Sequence, residues 1–144
     1  MMIEYKEEKP EIKDYFELRK NVGFHDLSPK QAEMALDNAL KIIVAYDGDD
    51  IVGMGRLVGD GAVICYIQDI MIRHEYRGSG IGAYIIKKLV EYTEEITLPG
   101  TKMMLGLMSK KGSESFYEKC GFTKRPNEEL GNGFTMYICK KDTQ

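Results

Sequence analysis

The residues best suited to do chemistry in this 144-residue chain stand in one short loop, Arg77-Gly78-Ser79-Gly80-Ile81-Gly82. An apolar, β-branched run ending at Ile72 leads into it through a charged turn, Arg73–Arg77. Behind it, Ala83-Tyr84-Ile85-Ile86-Lys87-Lys88-Leu89-Val90 repeats its apolar residues at helical spacing. Strand, glycine loop and helix N-terminus make a site for a phosphorylated ligand. The first-turn N–H groups have no partner inside the helix, and the helix dipole favours an anion there. Glycines let the backbone approach phosphate oxygens with no Cβ in the way. The Arg77 guanidinium is an added phosphate partner.

Two familiar glycine loops fit poorly. A P-loop needs Gly-Lys-Ser/Thr after its four-residue spacer, and nothing here supplies the lysine. Gly78, Gly80 and Ala83 match the dinucleotide fingerprint G-x-G-x-x-A. In that fold, however, the strand runs almost directly into the first glycine, and an acidic residue ends the next strand. Here the charged stretch Arg73–Arg77 intervenes, and the next strand candidate, Met103–Met108, has no carboxylate.

Arg77-x-x-Gly80-x-Gly82 resembles the pyrophosphate-binding motif Q/R-x-x-G-x-G/A of the GNAT superfamily of acetyl-CoA-dependent N-acetyltransferases. A second match follows downstream. Gly112-Ser113-Glu114-Ser115-Phe116-Tyr117-Glu118-Lys119-Cys120-Gly121-Phe122 looks like the family's F-Y-x-x-x-G-F element, a helix carrying a tyrosine and closed by Gly-Phe. The resemblance covers nearly the whole chain and is weakest before about residue 40.

The elements that must position these motifs read in order. Ile3–Tyr5 is a short strand. A helix begins near Pro10, continues through Ile12, Tyr15, Phe16 and Arg19, and stops near Gly23. Ser28-Pro29-Lys30-Gln31 is a capping box with Pro at N1, opening a helix with Ala32, Ala35, Leu36, Ala39 and Leu40 on one face. Ile42–Tyr46 and Ile51–Val58 form a hairpin across Asp47-Gly48-Asp49-Asp50. Gly59-Asp60-Gly61 turns the chain into a strand over Val63–Ile72. The helix after the loop runs to about Ile96, and Pro99-Gly100 ends that connection. Strand Met103–Met108, a helix near Ser113–Cys120 and strands around Thr123–Arg125 and Phe134–Cys139 complete the chain. The order β-α-α-β-β-β-α-β-α-β-β is that of a GNAT fold, a mixed α/β sheet with a splayed central strand pair. One domain over residues 1–144 accommodates it, since a chain this long buries roughly 70% of its unfolded surface.

The resemblance implies roles for particular residues. The backbone of Arg77, Gly78, Ser79, Gly80, Ile81, Gly82 and Ala83 holds the pyrophosphate of acetyl-CoA. Met71 and Ile72 offer main-chain groups to the pantetheine arm, which lies like an extra strand beside Met103–Met108. Ser113 touches the same arm or caps its helix. Tyr117 is the general acid, protonating the coenzyme A thiolate as it leaves, or else a packed tyrosine. Period-two alternation puts Tyr66, Gln68, Ile70 and Ile72 on one strand face and Ile67, Asp69 and Met71 on the other. Relatives carry Glu or His at places corresponding to Tyr66 or Gln68. This chain has neither, so Asp69 is the nearest carboxylate. If the strand bulges there, Asp69 reaches the acceptor as base or binds its ammonium; alternatively, it holds a loop N–H. Acceptor contacts fall to Tyr66, Gln68 and the Arg19–Ser28 segment with Phe24, and to Glu128–Phe134, where Gly131-Asn132-Gly133 makes a turn. His74 is a surface residue.

Composition narrows the partners. With 43% hydrophobic and 30% charged residues, the chain reads as a water-soluble globule. No apolar run spans a bilayer, and the N-terminus, Met-Met-Ile-Glu-Tyr-Lys-Glu-Glu, does not read as a signal peptide. A formal charge of −3 without a basic patch argues against nucleic acid. Cys65, Cys120 and Cys139 form no C-x-x-C, the expectation for buried thiols in a reduced, cytoplasmic protein. Two histidines make no metal site. The expected activity is direct transfer of acetyl from acetyl-CoA to a primary amine. The short chain favours a small acceptor over a protein N-terminus or lysine. A coenzyme A-binding module without catalysis is the alternative. Oligomeric state stays open, although proteins of this family often form homodimers.

Overall fold

A computed structural model describes residues 2–142. The chain divides into two compact units, Met1–Met108 and Ser109–Gln144.

The first unit is a five-stranded sheet in the order β1-β2-β3-β4-β5, flanked by three α-helices. Strand β1 is Ile3–Lys6, followed by helices α1 (Ile12–Asn21) and α2 (Pro29–Asp37). Strands β2 (Lys41–Asp47), β3 (Asp50–Gly59) and β4 (Ile64–Ile72) follow, then helix α3 (Ile81–Ile96) and strand β5 (Met104–Gly106). Neighbouring strands are antiparallel except β4 and β5, which run parallel across the α3 crossover. The capping box forms as expected: Ser28 Oγ accepts the Gln31 N–H at 3.1 Å, and Gln31 Oε1 accepts the Ser28 N–H at 3.3 Å.

Strand β3 is buried on both faces because helices cover both. On one face Met54 joins Tyr15, Leu18, Ala32, Leu36, Ile42, Val44, Ile51 and Met71 in a core beneath α1 and α2. On the other face β3 presents Gly53 and Gly55 to α3. A Cβ on Gly55 would lie 2.5 Å from Ile70 Cδ1 and 2.7 Å from Ile85 Cγ2; one on Gly53 would lie 2.9 Å from Ile81 Cγ2. These glycines thin the sheet where the first turns of α3 press on it, through the buried Ile81, Ile85, Ile86 and Leu89. That contact fixes the height of the α3 N-terminus above the sheet.

The second unit holds helix α4 (Glu114–Lys119). Gly121, at φ 104°, takes the left-handed conformation that ends it. The Phe122 N–H donates to the Tyr117 carbonyl at 3.1 Å and the Gly121 N–H to the Glu118 carbonyl at 3.0 Å. This bond pair is a Schellman cap, and its usual apolar contact is the Phe122 ring, 6.4 Å from that of Tyr117. The spacing Tyr-x-x-x-Gly-Phe is therefore the spacing of a helix stop that packs a phenylalanine against the tyrosine.

The expected strands Thr123–Arg125 and Phe134–Cys139 do not form; residues 123–142 carry neither helix nor strand. Around Pro126, which has no N–H to donate, the backbone spends its hydrogen bonds locally. Asn127 Oδ1 accepts the Glu129 and Leu130 N–H groups at 3.0 and 2.9 Å, and Arg125 Nε donates to the Gly131 carbonyl at 2.8 Å. No hairpin forms across 131–133, and Phe134, Met136 and Ile138 are left exposed. β5 is also shorter than the expected Met103–Met108.

Adding one methyl at the thinned point should be costly. Gly55→Ala is expected to destabilise the protein by about 1–3 kcal/mol, the usual cost of overpacking. Urea unfolding measures this, and an unchanged midpoint would mean that α3 does not rest on that glycine.

Candidate active site

Several ties converge on the end of β4. The Arg73 N–H donates to the Val52 carbonyl at 2.7 Å. Its guanidinium donates to the Ile51 carbonyl at 3.0 and 2.9 Å and to Glu17 Oε1 at 2.7 Å. The His74 N–H donates to Asn21 Oδ1 at 3.0 Å, which leaves the His74 side chain exposed. In the 3-10 turn His74–Tyr76, the Tyr76 hydroxyl donates to Asp47 Oδ2 at 2.5 Å. Strand end and loop start are thus tied to α1, β2 and β3.

Gly78 and Gly80 then take φ of 78° and 88°. Nothing lies within 4 Å of where their Cβ atoms would be, so the sign of the backbone angle, not lack of room, calls for glycine. Ser79 Oγ donates to the Tyr76 carbonyl and braces the loop between them. Gly80 is the N-cap of α3. The contrast with α2 is informative: there the Ser28 hydroxyl fills the cap, whereas here the cap has no side chain. The first intrahelical bond runs from the Tyr84 N–H to the Gly80 carbonyl at 3.1 Å. The N–H groups of Ile81, Gly82 and Ala83 precede it and have no helical partner. Arg77 is exposed beside them.

Upstream, β4 and β5 part company. They pair only through Ile64↔Met104, Cys65↔Leu105 and Tyr66↔Gly106. From Ile67 to Ile72, β4 keeps β3 on one side and has no strand on the other among the described residues. At the usual rise this open edge is about 20 Å long, and it runs into the glycine loop. Met71 and Ile72 lie on it, the Met71 side chain buried in the core, so what Met71 can offer a ligand is main chain.

The strand also bulges, at Asp69. The β3–β4 register jumps from Met54↔Met71 to Arg56↔Gln68, so Asp69 and Ile70 together oppose Gly55. Asp69 has φ 57°, the only positive value outside glycine among the described residues. Its carboxylate is fully buried and takes three donors. Tyr15 Oη donates to Oδ2 at 2.5 Å, Arg56 Nε to Oδ2 at 2.7 Å and Arg19 Nη1 to Oδ1 at 3.1 Å. Arg19 also donates through Nη2 to the His25 carbonyl at 3.0 Å. Its guanidinium lies 5.5 Å from the Tyr15 ring centre and 5.3 Å from that of Phe24.

Of the residues singled out in the sequence, Asp69 and Phe24 thus meet through Arg19. Gln68 is exposed opposite Arg56, and Tyr66 is half-buried between Val58 and Gly106. In the second unit, Ser113 is the N-cap of α4 but makes no side-chain cap bond. Tyr117 lies edge-on to Phe116, ring centres 5.0 Å apart. Tyr15, Arg19, Arg56, Arg73 and Tyr76 escape sequence reasoning. A signal for two of them exists, because Arg19 and Arg56, like Asp69, each interrupt an otherwise apolar helix face or strand. Only Cys65 of the three thiols is buried; Cys120 is half-buried and Cys139 exposed.

Burial first, then the Asp69 charge and the hydrogen bond to it, push the Tyr15 hydroxyl above its ordinary pKa of 10.0. The folded protein holds this proton to higher pH than the unfolded chain. The resulting stabilisation is complete below about pH 10 and is lost as pH climbs through the raised folded value. In Tyr15→Phe, unfolding free energy should therefore fall less steeply above pH 10 than in the parent protein. Denaturant unfolding at stepped pH reads this directly, and parallel slopes would remove Tyr15 from the alkaline response.

The profile of the acetyltransferase (GNAT) domain matches residues 4–142 and spans both units. An uncharacterised N-acetyltransferase, ycf52, of Pyropia yezoensis is 26% identical over 141 residues, covering 86% of this chain and 79% of that protein. Among solved structures, a probable acetyltransferase from meticillin-resistant Staphylococcus aureus superposes with a TM-score of 0.83 at 29% identity, covering 94% of this chain and all of that one. A GNAT-family acetyltransferase from Streptococcus pneumoniae gives a TM-score of 0.79 at 26% identity, covering 97% of this chain and 100% of that one. With a glycine-capped helix, a bulged strand and a parted parallel pair all in the first unit, and a family match running through both, the chain belongs to the GNAT acetyltransferase family.

Proposed function

We propose that the protein transfers the acetyl group of acetyl-CoA to a primary amine on a small molecule, by direct attack within a ternary complex. The open edge of β4, running from Ile67 into uncapped N–H groups at α3, carries the reading. An extended pantetheine arm would complete the edge as a strand does. The pyrophosphate would take the N–H groups of Gly80, Ile81, Gly82 and Ala83, with Arg77 as counter-charge and Gly78 and Ser79 shaping the turn.

The chemistry has four requirements: a held thioester, a neutral amine, a stabilised oxyanion and a protonated leaving thiolate. Met71 and Ile72 are assigned the oxyanion, because along the open edge of β4 alternate main-chain groups face away from β3 with no strand to receive them among the described residues. Tyr117 is assigned the proton donated to the thiolate, and Ser113 a contact to the pantetheine arm. Asp69, with three donors already on its two oxygens, is assigned to shaping β4, and water takes the amine proton. Phe24, Tyr66 and Gln68 are assigned to the acceptor side. Direct attack is favoured over an acetyl-enzyme because burial pushes the Cys65 and Cys120 thiols up, away from the reactive thiolate.

Acetyl-CoA turnover, followed as thiol release over a panel of amines, amino acids, amino sugars and lysine peptides, tests the activity. Tyr117→Phe is expected to lower kcat by at least about tenfold with acetyl-CoA affinity unchanged. Equal turnover would withdraw the proton-donor role. Saturable acetyl-CoA binding with no acceptor in the panel would favour a coenzyme A-binding module. Separately, Arg77→Ala should weaken coenzyme A binding by roughly fivefold to fiftyfold while leaving dephosphorylated pantetheine unaffected. An unchanged dissociation constant would undo the phosphate assignment.

A further inference from the structure

The Asp69 cluster has one cation more than its fold requires. Two guanidinium groups, Arg19 and Arg56, converge on a single carboxylate, with Tyr15 supplying a neutral donor. One arginine would neutralise Asp69. The second leaves a formal charge of +1 where the side chains of Arg19 and Arg56 are only 6% and 13% exposed. Uncompensated charge at such depth is costly. The donors are also under-used. Arg56 commits Nε to Asp69, and neither of its Nη groups has an acceptor among the described residues. Arg19 Nε is buried with no partner at all among them. Guanidinium donors form a planar fork whose natural complement is a carboxylate or phosphate bound through two oxygens.

Location narrows what such an anion belongs to. Arg56 stands across from Gln68, beside the bulge in the strand assigned to acetyl-CoA, and Arg19 lies under Phe24 in the loop after α1. We propose that the acceptor carries an oxyanion near its amine, a carboxylate or a phosphate, which docks on Arg56 and completes the charge balance of the Arg19–Asp69–Arg56 cluster. This rests on the acetyltransferase reading above. Docking orients the amine towards the bulge and excludes simple cationic amines, which the surplus positive charge repels. Arg56 is then a specificity residue, and Arg19 positions it through their shared carboxylate.

Matched acceptors that differ only in the anion test this: L-phenylalanine against 2-phenylethylamine, β-alanine against propylamine, and phosphoethanolamine against ethanolamine. The anionic member of at least one pair is expected to have a kcat/KM at least about tenfold higher, mostly through KM. Arg56→Met should abolish that preference, lowering kcat/KM at least about tenfold more for the anionic member of the pair than for the neutral one, and Arg56→Lys, which keeps the charge and protects the fold, should retain part of it. The first two pairs separate a carboxylate from the phosphate of the third. Equal or better use of the neutral amines, or a preference surviving in Arg56→Met, overturns the inference and leaves the acetyltransferase reading intact. If no amine turns over, that reading fails first, and calorimetric titration with acetate and inorganic phosphate decides this one. Heat that vanishes in Arg56→Met supports an oxyanion site, and no heat from either anion overturns it.

Discussion

One carboxylate inside a strand organises the first unit. Asp69 adopts a left-handed conformation that side chains other than glycine rarely take, at a cost of about 1–2 kcal/mol. Three donors from two other elements hold it there. Taking away one side of a buried ion pair costs about 3–5 kcal/mol, more than the strain it restrains. The bulge is therefore stable because α1 and β3 make it so. From the bulge follow the register of β4 against β3 and the way the strand meets the glycine loop.

A second constraint works from the opposite face. Gly53 and Gly55 let α3 settle onto β3, and the loop joining β4 to α3 must close the remaining gap with two left-handed glycines. Gly80 cannot cap the helix it starts, so that N-terminus keeps its N–H groups and its dipole available. The same protein caps α2 fully, with a serine, a proline and a glutamine. The residue types at the cap decide whether a helix start is closed by its own side chains, as at α2, or left open, as at α3.

Much of this was legible in the sequence. The glycine loop, the α2 capping box, the β2–β3 hairpin and the Gly-Phe stop after α4 are local signals, each set by a few adjacent residues, and each forms where expected. The family match supports the fold class that their order suggests. The buried cluster was not legible, since its three donors lie 13 to 54 residues from Asp69 and reach it only through tertiary packing. Phe134–Cys139 has the alternation of a strand, yet pairing needs an edge as well as a pattern, and the turn held by Asn127 supplies none.

The cluster also bears on how such a protein can change over generations. Tyr15, Arg19, Arg56 and Asp69 belong to three segments, but each depends on the others for a tolerable environment. A lone replacement strands a buried charge or an unpaired donor, whereas a matched set need not. These positions should therefore drift together or stay put, and the bulge can be lost only in concert. A strand distorted by glycine could be straightened by one codon; here four stand guard over the same bend.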